Sequence, residues 1–99
     1  MISKFSDLIN GDSLTLVDFT ATWCGPCQTL KPILEDLKTK IGDNARIIKI
    51  DIDKNQAIAA HYNVRSVPTL ILFRKGALLW RQSGVIPSVE LKKVIDQFS

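Results

Sequence analysis

The sequence predicts a single α/β domain over residues 1–99, with helices on both faces of a mixed four-stranded sheet. Three observations carry that expectation. Apolar spacing changes from strand-like to helical and back between Leu14 and Asp53, the pattern of a βαβ unit with a right-handed crossover. Two further β-rich runs flank Arg74-Lys75-Gly76, a tight turn, and should pair as an antiparallel hairpin. Amphipathic helical segments lie near both ends of the chain.

Taken in order, Phe5 to Asn10 has apolar residues at Phe5, Leu8 and Ile9, which suits a short helix stopped by Asn10-Gly11-Asp12. Leu14 to Thr20 is almost continuously apolar and reads as a strand buried on both faces, interrupted by Asp18. From Cys24 the period becomes helical, with Leu30, Ile33, Leu34, Leu37 and Ile41 on one stripe, Pro32 as an internal kink and Gly42-Asp43-Asn44 as the stop. Arg46 to Asp53 alternates: Ile48, Ile50 and Ile52 face one way, Ile47, Lys49 and Asp51 the other. Asn55 to Tyr62 is a short helix with Ile58, Ala59 and Tyr62 inward and Asp53 or Asn55 as its cap. Thr69 to Phe73 and Ala77 to Ser83 form the hairpin, and Gly84 breaks the last strand. Ser88 to Phe98 closes the chain as a helix with Leu91, Val94, Ile95 and Phe98 toward the sheet.

Composition narrows the function classes. A hydrophobic fraction of 45% and a charged fraction of 23% are those of an ordinary globular protein. The net charge of +3 is spread along the chain, and no basic cluster exceeds a pair such as Arg74-Lys75, so no nucleic-acid footprint is expected. Lys4, Asp7 and Asp12 break any leader-like apolar core, and the uncharged run Ser66 to Phe73 is far too short to span a bilayer. The chain therefore reads as cytoplasmic, or as a mature form whose leader has been removed, with no membrane association. Two cysteines alone do not make a disulfide-stapled secreted scaffold.

Both cysteines fall in Trp23-Cys24-Gly25-Pro26-Cys27, between the first strand and the long helix. By itself a Cys-x-x-Cys pair could be half a metal site, a staple or a redox dithiol. Two cysteines and the single distant His61 cannot complete a tetrahedral zinc site. A structural bridge across so short a loop would constrain the unfolded chain only weakly. The redox reading is the one that the strand-to-helix position favours, because a thiol there faces unpaired N–H groups and the positive end of the helix dipole.

The residues then suggest a family. Val17-Asp18-Phe19, Ala21-Thr22-Trp23-Cys24-Gly25-Pro26-Cys27, Pro32, Lys49, Asp53, Val67-Pro68-Thr69, Gly76 and Gly84, in register over essentially the whole chain, resemble thioredoxin. The resemblance implies a thioredoxin fold of three α/β/α layers, here with the usual first strand shortened or missing. It implies a thiol–disulfide oxidoreductase, a protein-disulfide reductase that acts through dithiol exchange. No cofactor or metal would be bound to the chain. Electrons would come from NADPH through a separate thioredoxin reductase, and the partners would be that reductase and disulfide-containing target proteins, met by a monomer. Thr20 and Gln28 depart from the family's usual residues beside the active surface. An exported oxidant or isomerase, and a docking subunit without redox chemistry, are the competing readings.

Each site residue then acquires an expected role. Cys24 attacks a target disulfide as thiolate, and Cys27, one helical turn on, resolves the mixed disulfide. Gly25 and Pro26 set the geometry between them and, by resemblance, tune the redox poise. Asp18, a carboxylate within an apolar strand, should have a raised pKa and could take the proton of Cys27, unless it merely reaches solvent from a strand end. Lys49 is either its partner or an exposed edge residue. Trp23 is an expected docking surface. The resemblance gives Val67-Pro68 as a cis bond that leaves the Val67 backbone free to pair with a bound substrate strand, and it adds Gly84 as a further supporting or substrate-binding residue.

Overall fold

The computed structural model describes residues 2–99. Helix α1 (Ile2–Ile9) leads into strand β1 (Leu14–Thr20), helix α2 (Gly25–Ile41), a 3-10 turn (Gly42–Asn44) and strand β2 (Ala45–Asp51). Helix α3 (Gln56–His61), strands β3 (Thr69–Arg74) and β4 (Ala77–Ser83), and helix α4 (Ser88–Phe98) complete the chain. The sheet order is β2-β1-β3-β4. Strand β2 runs parallel to β1, while β3 is antiparallel to both β1 and β4. The α/β architecture with a mixed four-stranded sheet is thus the one that the apolar spacing predicts.

Alternation along the two central strands builds two cores. Leu14, Leu16, Leu70 and Leu72 face one way and meet Leu30, Leu34, Leu37 and Ile41 of α2 and Leu91 and Ile95 of α4. Val17, Phe19, Ile71 and Phe73 face the other way, against Phe5 and Ile9 of α1 and Ile58 and Ala59 of α3. On that side the rings of Phe5, Phe73 and Tyr62 meet edge to face at 5.3–5.9 Å. Leu30 and Leu37 are fully buried, and truncating either to alanine would cost about 2–5 kcal/mol. The helix that carries the cysteines is therefore held along its length by the deeper of its two faces.

Local chemistry sets the element ends. Helix α2 continues through Pro32 to Ile41, and Lys38 reaches past its end to the Gly42 and Ala45 carbonyls. The hairpin turn puts Lys75 and Gly76 both at positive φ, the conformation that a two-residue hairpin loop favours. It packs on the α1–β1 loop, with Lys75 N–H donating to Gly11 O and Gly76 N–H to Ile9 O. Strand β2 stops at Asp51, two residues short of the expected Asp53. Among the described residues no strand precedes α1, so β2 is one edge of the sheet, where exposed Arg46 and Lys49 discourage further pairing.

Candidate active site

The site lies where β1 gives way to α2. A turn closes with Cys24 N–H donating to Ala21 O, and it leaves the Trp23 side chain 67% exposed. Cys24 then takes an extended backbone as the N-cap of α2, with Gly25 and Pro26 in the first turn. Its sulfur accepts the Cys27 backbone N–H at 3.1 Å, doing for the helix what a serine or aspartate cap usually does. Cys24 and Cys27 are joined as a disulfide with their Cα atoms 5.3 Å apart. Both are equally buried, at 5% exposure. What distinguishes them is their surroundings, not their accessibility.

Cys24 Sγ lies 3.5 Å from the Val67 carbonyl oxygen, on the loop that carries the cis Val67-Pro68 bond. That loop is fastened to the end of β4. Gly84 sits at φ +100°, a value that favours glycine, and its N–H donates to Pro68 O at 2.9 Å. Thr69 gives its hydroxyl proton to Ser66 O at 2.7 Å, so Ser83 donates to Thr69 Oγ1 at 2.8 Å. Arg81 adds two bonds to the same connector, donating to the Tyr62 and Asn63 carbonyls. Val67, Pro68 and Gly84 are thereby tied together on the side of Cys24 that Val67 borders, and exposed Trp23 directly precedes Cys24 in the chain.

Cys27 faces a different wall. It lines a cleft of about 150 Å³ together with Asp18, Thr20, Gln28, Lys49 and Asp51. Asp18 follows Leu16 on the α2-facing side of β1 and is only 3% exposed. Its Oδ1 has no hydrogen-bond partner. Burial pushes its carboxyl up to about 6, with the Lys49 cation pulling the other way. Lys49 stands opposite Asp18 in the parallel register, but its side chain is exposed and the two form no salt bridge. Thr20 and Gln28 fall on this inner wall, beside Asp18.

One expectation needs correction. Asp53 does not cap α3, and neither does the side chain of Asn55, which donates to Asp51 O at 3.0 Å. The Asp53 carboxylate instead accepts the Trp23 indole N–H at 2.8 Å. Nothing in the spacing of residues along the chain could have paired positions that far apart. Asp51 also has a task that its place in a strand did not suggest: its carboxylate accepts the N–H groups of Asp53 and Lys54 and shapes the loop after β2. Among the described residues no cluster of side chains could hold a metal ion.

Comparison with known proteins agrees with this geometry. The thioredoxin family model matches residues 2–97. The chain is 39% identical over 92 residues to thioredoxin of Haemophilus influenzae, covering 93% of this chain and 86% of that protein. The chain belongs to the thioredoxin family. It is also 40% identical over 95 residues to "Thioredoxin Y, chloroplastic" of Oryza sativa, covering 95% of this chain and 56% of that one. Among solved structures, Fasciola hepatica thioredoxin superposes with a TM-score of 0.88 at 33% identity, covering 99% and 94% of the two chains. Like the thioredoxins it resembles, this chain is a protein-disulfide oxidoreductase that works by dithiol–disulfide exchange through its Cys-x-x-Cys pair.

Proposed function

We propose that the two cysteines have fixed and different parts in that exchange. The observation that carries this reading is the contrast in their surroundings: Cys24 borders Val67 and the exposed Trp23, while Cys27 lines the cleft of Asp18. In the reduced protein the Cys27 N–H and the α2 N-terminus stabilise a thiolate on Cys24. That thiolate attacks one sulfur of a target disulfide; a Cys24–target bond forms and the second target sulfur leaves as thiolate. Cys27 gives its proton to the Asp18 carboxylate across the cleft and attacks Cys24 Sγ. The target leaves with both sulfurs reduced, and the Cys24–Cys27 disulfide remains.

The remaining residues support these two events. Gly25 and Pro26 shape the ring and its redox poise. Trp23, the Val67 backbone, Pro68 and Gly84 receive the target chain. Lys49 sets the charge at the mouth of the cleft and so moderates the basicity of Asp18. Electrons return from NADPH through a separate thioredoxin reductase, and the protein serves as a monomeric reductant of the cytoplasm without a bound cofactor. A plastid is the alternative compartment, because a chloroplast protein is among the relatives.

Reduction of a protein disulfide, with a small dithiol or with NADPH and thioredoxin reductase as donor, tests the assignment. Cys24→Ser should be inactive, and Cys27→Ser should accumulate a covalent protein–target adduct. The reverse pattern, with the adduct trapped in Cys24→Ser, would exchange the two roles. Reduction with the small dithiol but none with the reductase would remove that enzyme as the donor.

A further inference from the structure

An exposed tryptophan whose indole nitrogen is taken up by a carboxylate calls for a cause. Trp23 projects from a turn with two-thirds of its surface in solvent, where a free indole would sample several rotamers. Its ring nitrogen is nevertheless bonded to Asp53 Oδ2 at 2.8 Å. Asp53 in turn sits on a loop that is shaped from below. Asp51 Oδ1 accepts the Asp53 N–H at 2.8 Å and the Lys54 N–H at 3.3 Å, and Asn55 ties back to Asp51 O at 3.0 Å. The base of this strut is anchored in the sheet, since Asp51 pairs with Thr20 in the β1–β2 ladder.

We propose that Asp53 is a positioning residue for target recognition: through its bond to the indole, on the loop folded by Asp51, it pre-sets Trp23 in the orientation that meets an incoming protein. A docking aromatic that is already oriented loses less side-chain freedom when it is covered, so affinity rises without any new contact. Small disulfides, which need only reach the sulfurs, gain nothing from it. The strut thus separates protein targets from small ones. This rests on the reading of Trp23 as a docking surface, and the two can fail separately.

The test is a double-mutant cycle on the full chain with Trp23→Ala, Asp53→Ala and both together, alongside Asp53→Asn, which keeps an oxygen able to accept the indole N–H. Steady-state reduction is measured with a protein disulfide and with a small aromatic disulfide. Asp53→Ala should raise KM for the protein substrate about three- to tenfold, the range expected for losing one solvent-exposed hydrogen bond, with kcat and the small-disulfide rate unchanged. Asp53→Asn should recover most of that loss. The double variant should behave as Trp23→Ala alone. In a Trp80→Phe background, Asp53→Ala should lower the fluorescence anisotropy of Trp23. Additive effects of the two alanine changes, unaltered anisotropy, or equal loss on both substrates would overturn the inference. If Trp23→Ala leaves KM for the protein substrate unchanged, the docking reading fails first.

Discussion

Asp18 lines the cleft beside Cys27 and Asp53 holds the indole of Trp23, and these two acids stand under opposite rules. On the inner wall Asp18 is buried without a partner for its Oδ1, and burial raises its pKa to about 6. On the loop after β2 Asp53, the outer of the two, is exposed and spends an oxygen on an indole N–H. The inner acid is costly to charge, which is what makes its proton exchange useful near neutral pH. The outer acid acts through direction, by holding an indole N–H. Burial converts a carboxylate into a proton store; exposure leaves it a geometric tether.

The largest effects that sharpen this contrast come from the sulfurs. Cys24→Ser should abolish turnover on protein and small disulfides alike, because both walls serve the same bond; residual turnover of either substrate would show that Cys27 can initiate attack. Next comes Asp18. Its folded pKa is raised from 3.8 to about 6, so the native state holds the proton more tightly than the unfolded chain does. Stability therefore falls as pH rises through that window, by about 3 kcal/mol in total. Asp18→Asn removes the titration. In urea unfolding of the oxidised protein, the wild type should lose about 3 kcal/mol relative to the variant between about pH 3.5 and pH 8. A constant difference across pH would show that Asp18 titrates normally.

Lys49→Met should have a smaller effect on the same wall. Removing the cation that opposes the burial effect should raise the Asp18 pKa further and move the fall in stability to higher pH. A midpoint in the same urea series that stays put would show the exposed ammonium to be fully screened. Smallest is Ser83→Ala on the outer wall, which removes the hydroxyl that donates to Thr69. A loss of about 0.5–1.5 kcal/mol is expected in urea unfolding, with no change in its pH dependence. A pH-dependent loss would link the outer wall to Asp18 and break the separation of the two.

How much of this was legible in the sequence follows from the range of each interaction. Strands β1, β3 and β4 and helix α4 keep the bounds that apolar period and turn residues indicate, to within a residue, because those signals are local. The long helix could be read from Leu30, Leu34, Leu37 and Ile41 for the same reason. Asp18 stood out because one carboxylate interrupts an apolar run. Asp53 did not, because an acid before a short helix has an ordinary explanation as a cap, and its actual partner arrives through the tertiary fold. The Ser66–Thr69–Ser83 hydroxyls were equally silent, since polar residues around a turn look like surface. The equal burial of Cys24 and Cys27 also escaped the sequence, because the spacing of two cysteines carries no measure of how deep either sulfur sits.

Strand β4 lies at the edge of the sheet, yet it fastens the connector before β3 through Arg81, Ser83 and Gly84. These anchors lie downstream of everything they hold. On a ribosome the two cysteines emerge well before them. The vectorial order of synthesis thus delivers the residues that fasten the loop beside Cys24 only after both cysteines.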